Sequence, residues 1–154
     1  LAFTVNDTKS FMNLLLKGDT FDSFRCQGEL TTFASFIIEG KRNMDFYTAE
    51  EQEQGFPVMC IGRKCVPLYF RQSRGIKLPK SIKLVFSLAE EKLTNLPQYQ
   101  GGISEYSFKE HTILCTTAIS QEAFSLDKSS ERLWEEYILK FFKKNAIGIR
   151  KQES

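Results

Sequence analysis

Residues 129–144 constrain the fold more than any other stretch of this chain. Within them Leu133, Trp134, Tyr137, Ile138, Phe141 and Phe142 recur at i, i+1, i+4 and i+5, so six large apolar side chains share one stripe of an α-helix. Arg132, Glu136, Lys140 and Lys143 fall on the other side. Moving each large apolar side chain out of water contributes about 1.5–3 kcal/mol. Such a helix needs an apolar surface to lie on. A sheet of the same chain is the expected surface. The alternative is a second copy, which would make the chain a homo-oligomer.

The rest of the sequence supplies that sheet. Ile82, Leu84, Phe86 and Leu88 alternate with Lys83, Val85 and Ser87, the period of a strand with one face buried. Phe24, Cys26, Gly28 and Leu30 alternate likewise, as do Phe33, Ser35 and Ile37, and together they read as a hairpin ending at Gly40-Lys41-Arg42-Asn43. Gly101-Gly102 opens two more strands, about 103–109 and 112–119, that turn near Glu110-His111, and a weaker strand lies near 121–126. Leu1 to Val5 is a short strand. Asn6 and Asp7 offer side-chain acceptors to cap a helix in which Phe11, Met12, Leu14 and Leu15 fall at helical spacing, stopped by Gly18. Thr48-Ala49-Glu50-Glu51 is a capping box for a brief helix that Gly55 stops. Pro67 to Arg74 is a second short helix before Gly75, and residues 89–96 form another that Pro97 ends. The expected class is α+β: a mainly antiparallel sheet, two or three short helices and a C-terminal amphipathic helix. At 154 residues and 42% hydrophobic content, residues 1–154 read as a single domain. A domain of that length removes roughly two-thirds of its unfolded surface from water.

These residues, taken in order, carry a resemblance. Phe3-Thr4-Val5-Asn6-Asp7 with Lys9-Ser10-Phe11-Met12-Asn13, Thr31-Thr32-Phe33 with Ile38-Glu39-Gly40, and Phe124 to Ser129 with Trp134 and Phe141-Phe142 resemble an uncharacterised bacterial family, a domain of unknown function, over nearly the whole chain. The resemblance implies a small bacterial protein and brings no activity, cofactor or catalytic residues. Residues 57–80 depart from the family pattern, where a tighter Lys/Gly-rich turn is expected. In element order alone the chain is also similar to one domain of the DNA sliding clamps: Val66-Pro67 through Leu88, then the hairpin and Phe124-Ser125-Leu126, follow the layout of the second half of such a domain. Shared layout does not establish function.

No apolar run approaches the ~20 residues of a membrane-spanning helix. No basic stretch followed by an apolar core marks a signal peptide at the N-terminus. The four cysteines, Cys26, Cys60, Cys65 and Cys115, show no paired spacing, so free thiols in a reducing cytoplasm are expected.

The net charge of +2 conceals an uneven layout. Arg63, Lys64, Arg71, Arg74, Lys77, Lys80 and Lys83 fall between residues 55 and 89, and that window holds no acid. Arg71 and Arg74 are three apart on the expected helix and share a face, and Tyr69 and Phe70 lie among the cations. A second basic cluster, Lys140, Lys143, Lys144, Arg150 and Lys151, lies toward the C-terminus. Two readings compete. One is a surface facing the phosphates of a polyanion or nucleic acid, with the aromatic rings stacking on bases. The other is a solvated face whose cations sit at helix ends and are stabilised by the helix dipole.

Few residues point to catalysis. The single histidine, His111, falls in a hairpin turn, which excludes His-pair metal motifs. Cys60 and Cys65 lack zinc-finger spacing. Neither a Gly-rich phosphate loop nor a nucleophile elbow is present. Adjacent carboxylates such as Glu90-Glu91 point about 100° apart on a helix and do not share a site. The expectation is a non-catalytic cytoplasmic binding or scaffold protein with no cofactor and no metal, its binding residues Arg63, Lys64, Arg71, Arg74, Lys77 and Lys80. The alternative is a small enzyme using carboxylates or Cys60/Cys65 in a pocket near residues 56–65.

Overall fold

A computed structural model describes residues 1–55, 80–120 and 126–153. Among the described residues, seven strands form one sheet: β1 (Ala2–Val5), β2 (Phe24–Thr31), β3 (Ser35–Ile38), β4 (Ser81–Leu88), β5 (Gly102–Lys109), β6 (Thr112–Ile119) and β7 (Ile149–Lys151). The helices among the described residues are α1 (Thr8–Leu16), α2 (Ala49–Glu53), α3 (Glu90–Asn95) and α4 (Ser129–Lys144), with 3₁₀ turns at Met44–Phe46 and Pro97–Tyr99. Across the sheet the order is β3-β2-β4-β5-β6-β1-β7, and every neighbouring pair is antiparallel. The chain is therefore α+β, as the alternation and the final amphipathic stretch require.

Register follows from the period of two. Gly28, Leu84, Tyr106, Cys115 and Phe3 lie opposite one another in one row, and Leu30, Ile82, Phe108 and Ile113 in the next. Both rows face the core. A slip of one residue would turn all of them to water, so the pattern permits one register. The other face carries Gln27, Glu29, Lys83, Thr112 and Thr116, all of them exposed. Lys109 and Thr112 pair across a two-residue turn in which Glu110 and His111 take φ of 50° and 64°. Positive φ at both positions gives the hairpin turn whose twist matches that of the strands.

Helices α1 and α4 cover the core face. Asp7 caps α1: the backbone N–H of Ser10 donates to its Oδ1 at 3.0 Å and the Ser10 hydroxyl to its Oδ2 at 2.7 Å. Phe11 then packs against Phe21 and Tyr106, with ring centroids 5.7 and 5.2 Å apart. On α4 the stripe lands on the sheet: Trp134, Ile138 and Phe142 are buried, Tyr137 and Phe141 half-buried, and Leu133 remains 40% exposed. The expectation that the helix docks on its own sheet is met. Phe142 meets Phe3 edge to face at 6.1 Å, and Phe141 meets Phe24 at 5.0 Å. Trp134 fixes the depth of this contact. Its indole N–H donates to the Ile103 carbonyl at 2.7 Å, and its ring lies so close to Gly102 that a Cβ there would be 2.4 Å from Trp134 Cδ2. Only glycine admits the ring at that position.

Past α4 the chain turns through Ala146 (φ 53°), and the Ile147 N–H donates to the Phe142 carbonyl at 2.9 Å, a left-handed helix stop without glycine. It then returns as β7 against β1, Phe3 opposite Lys151. Strand β7 and both 3₁₀ turns are additions to the elements expected from the sequence. The expected helix Pro67 to Arg74 and most of the weak strand near 121–126 lie outside the described residues.

Candidate functional site

Of the six cations expected to form a binding surface, Arg63, Lys64, Arg71, Arg74 and Lys77 lie outside the described residues, as do Tyr69, Phe70, Cys60, Cys65 and the expected pocket near 56–65. Lys80 is described. It is exposed just before β4, and its backbone N–H donates to the Thr31 carbonyl at 2.9 Å. Lys83 projects from the sheet face opposite the described helices α1 and α4, 3.4 Å from Glu105 Oε1. Lys80 thus sits at the start of β4 beside the end of β2, and Lys83 lies on the sheet face opposite the described helices α1 and α4.

The described thiols are chemically quiet. Cys26 and Cys115 are buried and form no disulfide. Removal from water pushes the Cys115 thiol up to about 12, and burial holds the neighbouring Tyr106 phenol well above its ordinary value. A thiol that stays protonated is not a nucleophile. His111 is exposed on its turn, its backbone carbonyl accepting from the Thr8 hydroxyl at 3.2 Å. Among the described residues, no three His, Cys, Asp or Glu side chains gather closely enough to hold a metal ion.

One constellation emerges only in three dimensions. The α1–β2 loop, α3 and the C-terminal half of α4 enclose a groove of about 460 Å³, lined by Asp19, Thr20, Ser23, Lys92, Tyr137, Lys140, Phe141, Lys144 and Asn145. Its walls are pinned from behind. The Ala89 N–H donates to the Ser23 carbonyl at 2.9 Å, tying the loop to the start of α3, and the Asn145 side-chain amide donates to the Phe141 carbonyl at 2.9 Å. Phe141 is wedged against Phe21 at 5.3 Å and Tyr137 stacks on Trp134 at 5.3 Å. Burial raises the Tyr137 phenol above its ordinary value, so it remains a neutral hydrogen-bonding group. The ion pairs among the described residues join the N-terminal amine to Glu135, Arg25 to Glu90 and Lys83 to Glu105; none involves Lys92, Lys140 or Lys144. The sequence shows Lys140 and Lys144 as part of a basic run. Lys92 carries no sequence signal, because only the fold brings residues of α3 and α4 to one groove.

With the geometry established, comparison with known proteins places the chain. The model of a family described as "Family of unknown function (DUF5721)" matches residues 14–149. The chain belongs to that family. The match runs from within α1 to the first residue of β7 and includes every residue that lines the groove. No curated protein and no solved structure matches the chain. Among the described residues, no helix is long and apolar enough to cross a membrane.

Proposed function

We propose that this chain is a non-catalytic binding module that recognises a polyanion, in its sharpest form nucleic acid, through Arg63, Lys64, Arg71, Arg74, Lys77 and Lys80. The observation that carries the proposal is the 35-residue window from 55 to 89, with seven cations and no acid in a chain whose charges are otherwise mixed. Neutralising phosphates with such a cluster releases condensed counterions, which supplies affinity without any base contact. The position of Lys80 and Lys83 supports it, since both are exposed, Lys80 just before β4 and Lys83 on the sheet face that the described helices do not cover. The buried, protonated thiol of Cys115 favours binding over thiol catalysis at the described residues. A cytosolic location and the clamp-like element order belong to the same proposal.

Gel-shift titration with single- and double-stranded DNA at low salt tests it. Retardation at micromolar protein is expected, and Arg71→Glu with Arg74→Glu should abolish it while thermal stability stays nearly unchanged. No shift at micromolar protein, or an equal loss in an uncharged surface variant, refutes it.

A further inference from the structure

We propose that the groove between the α1–β2 loop, α3 and α4 is a separate site for a small phosphorylated ligand bearing at least two negative charges, held by Lys92, Lys140 and Lys144. It uses no residue of the 63–83 segment, so it stands or falls apart from the polyanion proposal.

Charge comes first. Three lysines against the single acidic residue Asp19 give the residues lining the groove a formal charge of +2. None of the three lysines is ion-paired among the described residues. Lys140 and Lys144 are four apart and share a face of α4, whereas Lys92 reaches the groove from the last turn of α3. The helix dipole stabilises a cation at each helix end taken singly. It does not require cations of two helices to converge on one hollow, where they repel one another. A polyvalent anion removes that repulsion, and lysine ammonium groups are compact point charges suited to phosphate.

Shape and the remaining groups agree. A volume of about 460 Å³ lies within the ~300–1,000 Å³ range of small-ligand pockets and is too confined for an extended polymer surface. Thr20 and Ser23 place hydroxyl donors on the loop wall, where they can complete the oxygens of a phosphate. Tyr137 and Phe141 form a half-buried aromatic floor, held by Trp134 and Phe21, against which the ligand's organic part can lie. The same phosphate chemistry can come from an inorganic diphosphate or from a nucleotide, and these sources separate experimentally.

Calorimetric titration of the full chain with pyrophosphate and, separately, with ATP at low salt is the test. Saturable binding in the micromolar range is expected for at least one. Equal affinity would show that the phosphates alone are read, and tighter ATP binding that the aromatic floor takes part; both support the site. Lys92→Gln and the double variant Lys140→Gln, Lys144→Gln should each weaken binding at least tenfold, with Lys140→Arg retaining it and Lys9→Gln with Lys109→Gln unchanged. No saturable heat below millimolar ligand overturns the proposal. So does binding that survives the lysine variants while their melting temperature falls, which would assign the lysines to neutralising helix ends. Loss on Arg71→Glu with Arg74→Glu, but not on the groove variants, would move the anion site to the basic segment and overturn it as well.

Discussion

Gly102→Ala should destabilise the domain through one side chain, Trp134, which is distant in sequence but in contact across the sheet. A methyl group at residue 102 would sit 2.4, 2.6 and 2.8 Å from Cδ2, Cε3 and Cε2 of the indole. Carbon atoms pack favourably at about 3.5–4.0 Å, so the ring must retreat by about 1 Å. It cannot do so freely. Its N–H is bonded to the Ile103 carbonyl at 2.7 Å, and its face is stacked on Tyr137 with an interplanar angle of 8°. Overpacking of this kind costs about 1–3 kcal/mol. A loss of about 2 kcal/mol in a domain of this size lowers the melting temperature by roughly 4–8 °C. The decisive assay is a double-mutant cycle by urea denaturation with Trp134→Phe. Phenylalanine has no counterpart of Cε3 and no N–H to anchor its ring to the Ile103 carbonyl, so the smaller ring can retreat and Gly102→Ala should cost at least about 1 kcal/mol less in the Trp134→Phe background than in the native one. The Trp134→Phe change alone should cost on the order of 1–3 kcal/mol, mainly from the unpaired Ile103 carbonyl and lost packing. Additivity within about 0.5 kcal/mol would refute the contact as the cause.

Two further outcomes follow from the buried and capping groups. Cys115 has its folded value raised from 9.0 to about 12 by burial, so its contribution to stability is complete below pH 9.0 and is lost as pH rises from there toward 12. Urea midpoints should therefore fall between pH 9 and about 10.5, and less steeply in Cys115→Ala; in the same protein at neutral pH, mass-mapped thiol labelling should leave Cys26 and Cys115 unmodified until denaturant is added. Asp7 has its carboxyl lowered by hydrogen bonds from Ser10, so its stabilising effect is present above 3.8 and disappears as pH falls through the lower folded value. Asp7→Ala should reduce stability at neutral pH and flatten the acid limb of a pH–melting curve, and Asp7→Asn, an equally good cap, should flatten that limb while keeping neutral stability.

What could be read from the sequence divides along the range of the interactions involved. Helix α4 spans Ser129–Lys144, the stretch its stripe marks out, because a 3.6-residue period is a local property. The capping box at Thr48 appears in full, with the Thr48 N–H donating to Glu51 Oε2 at 2.8 Å. The turn at Glu110-His111 is marked by the strands on either side rather than by its own residues, since neither is a glycine. Strand β7 leaves no trace in the sequence. Its three residues are strand only because β1, nearly the whole chain away, lies beside them with Thr4 opposite Arg150. The groove is hidden for the same reason. Lys140 and Lys144 are visible as an i, i+4 pair, but their partner Lys92 belongs to a window with a balanced charge, and only the fold, which sets α3 and α4 on the same groove, joins them. The 63–83 cluster is the reverse case: conspicuous as a charge count, and located in the structure through Lys80 and Lys83 alone.

The claim that this chain recognises a polyanion through its basic segment is tested most directly by fluorescence anisotropy with a labelled single-stranded oligonucleotide across a salt series from about 50 to 200 mM. Neutralising roughly four to six phosphates should give a plot of log K against log salt with a slope of about −3 to −4. Arg71→Glu with Arg74→Glu should flatten that slope and remove most of the affinity. A protein that binds weakly with no salt dependence, or whose slope is unchanged by reversing those two charges, would contradict it.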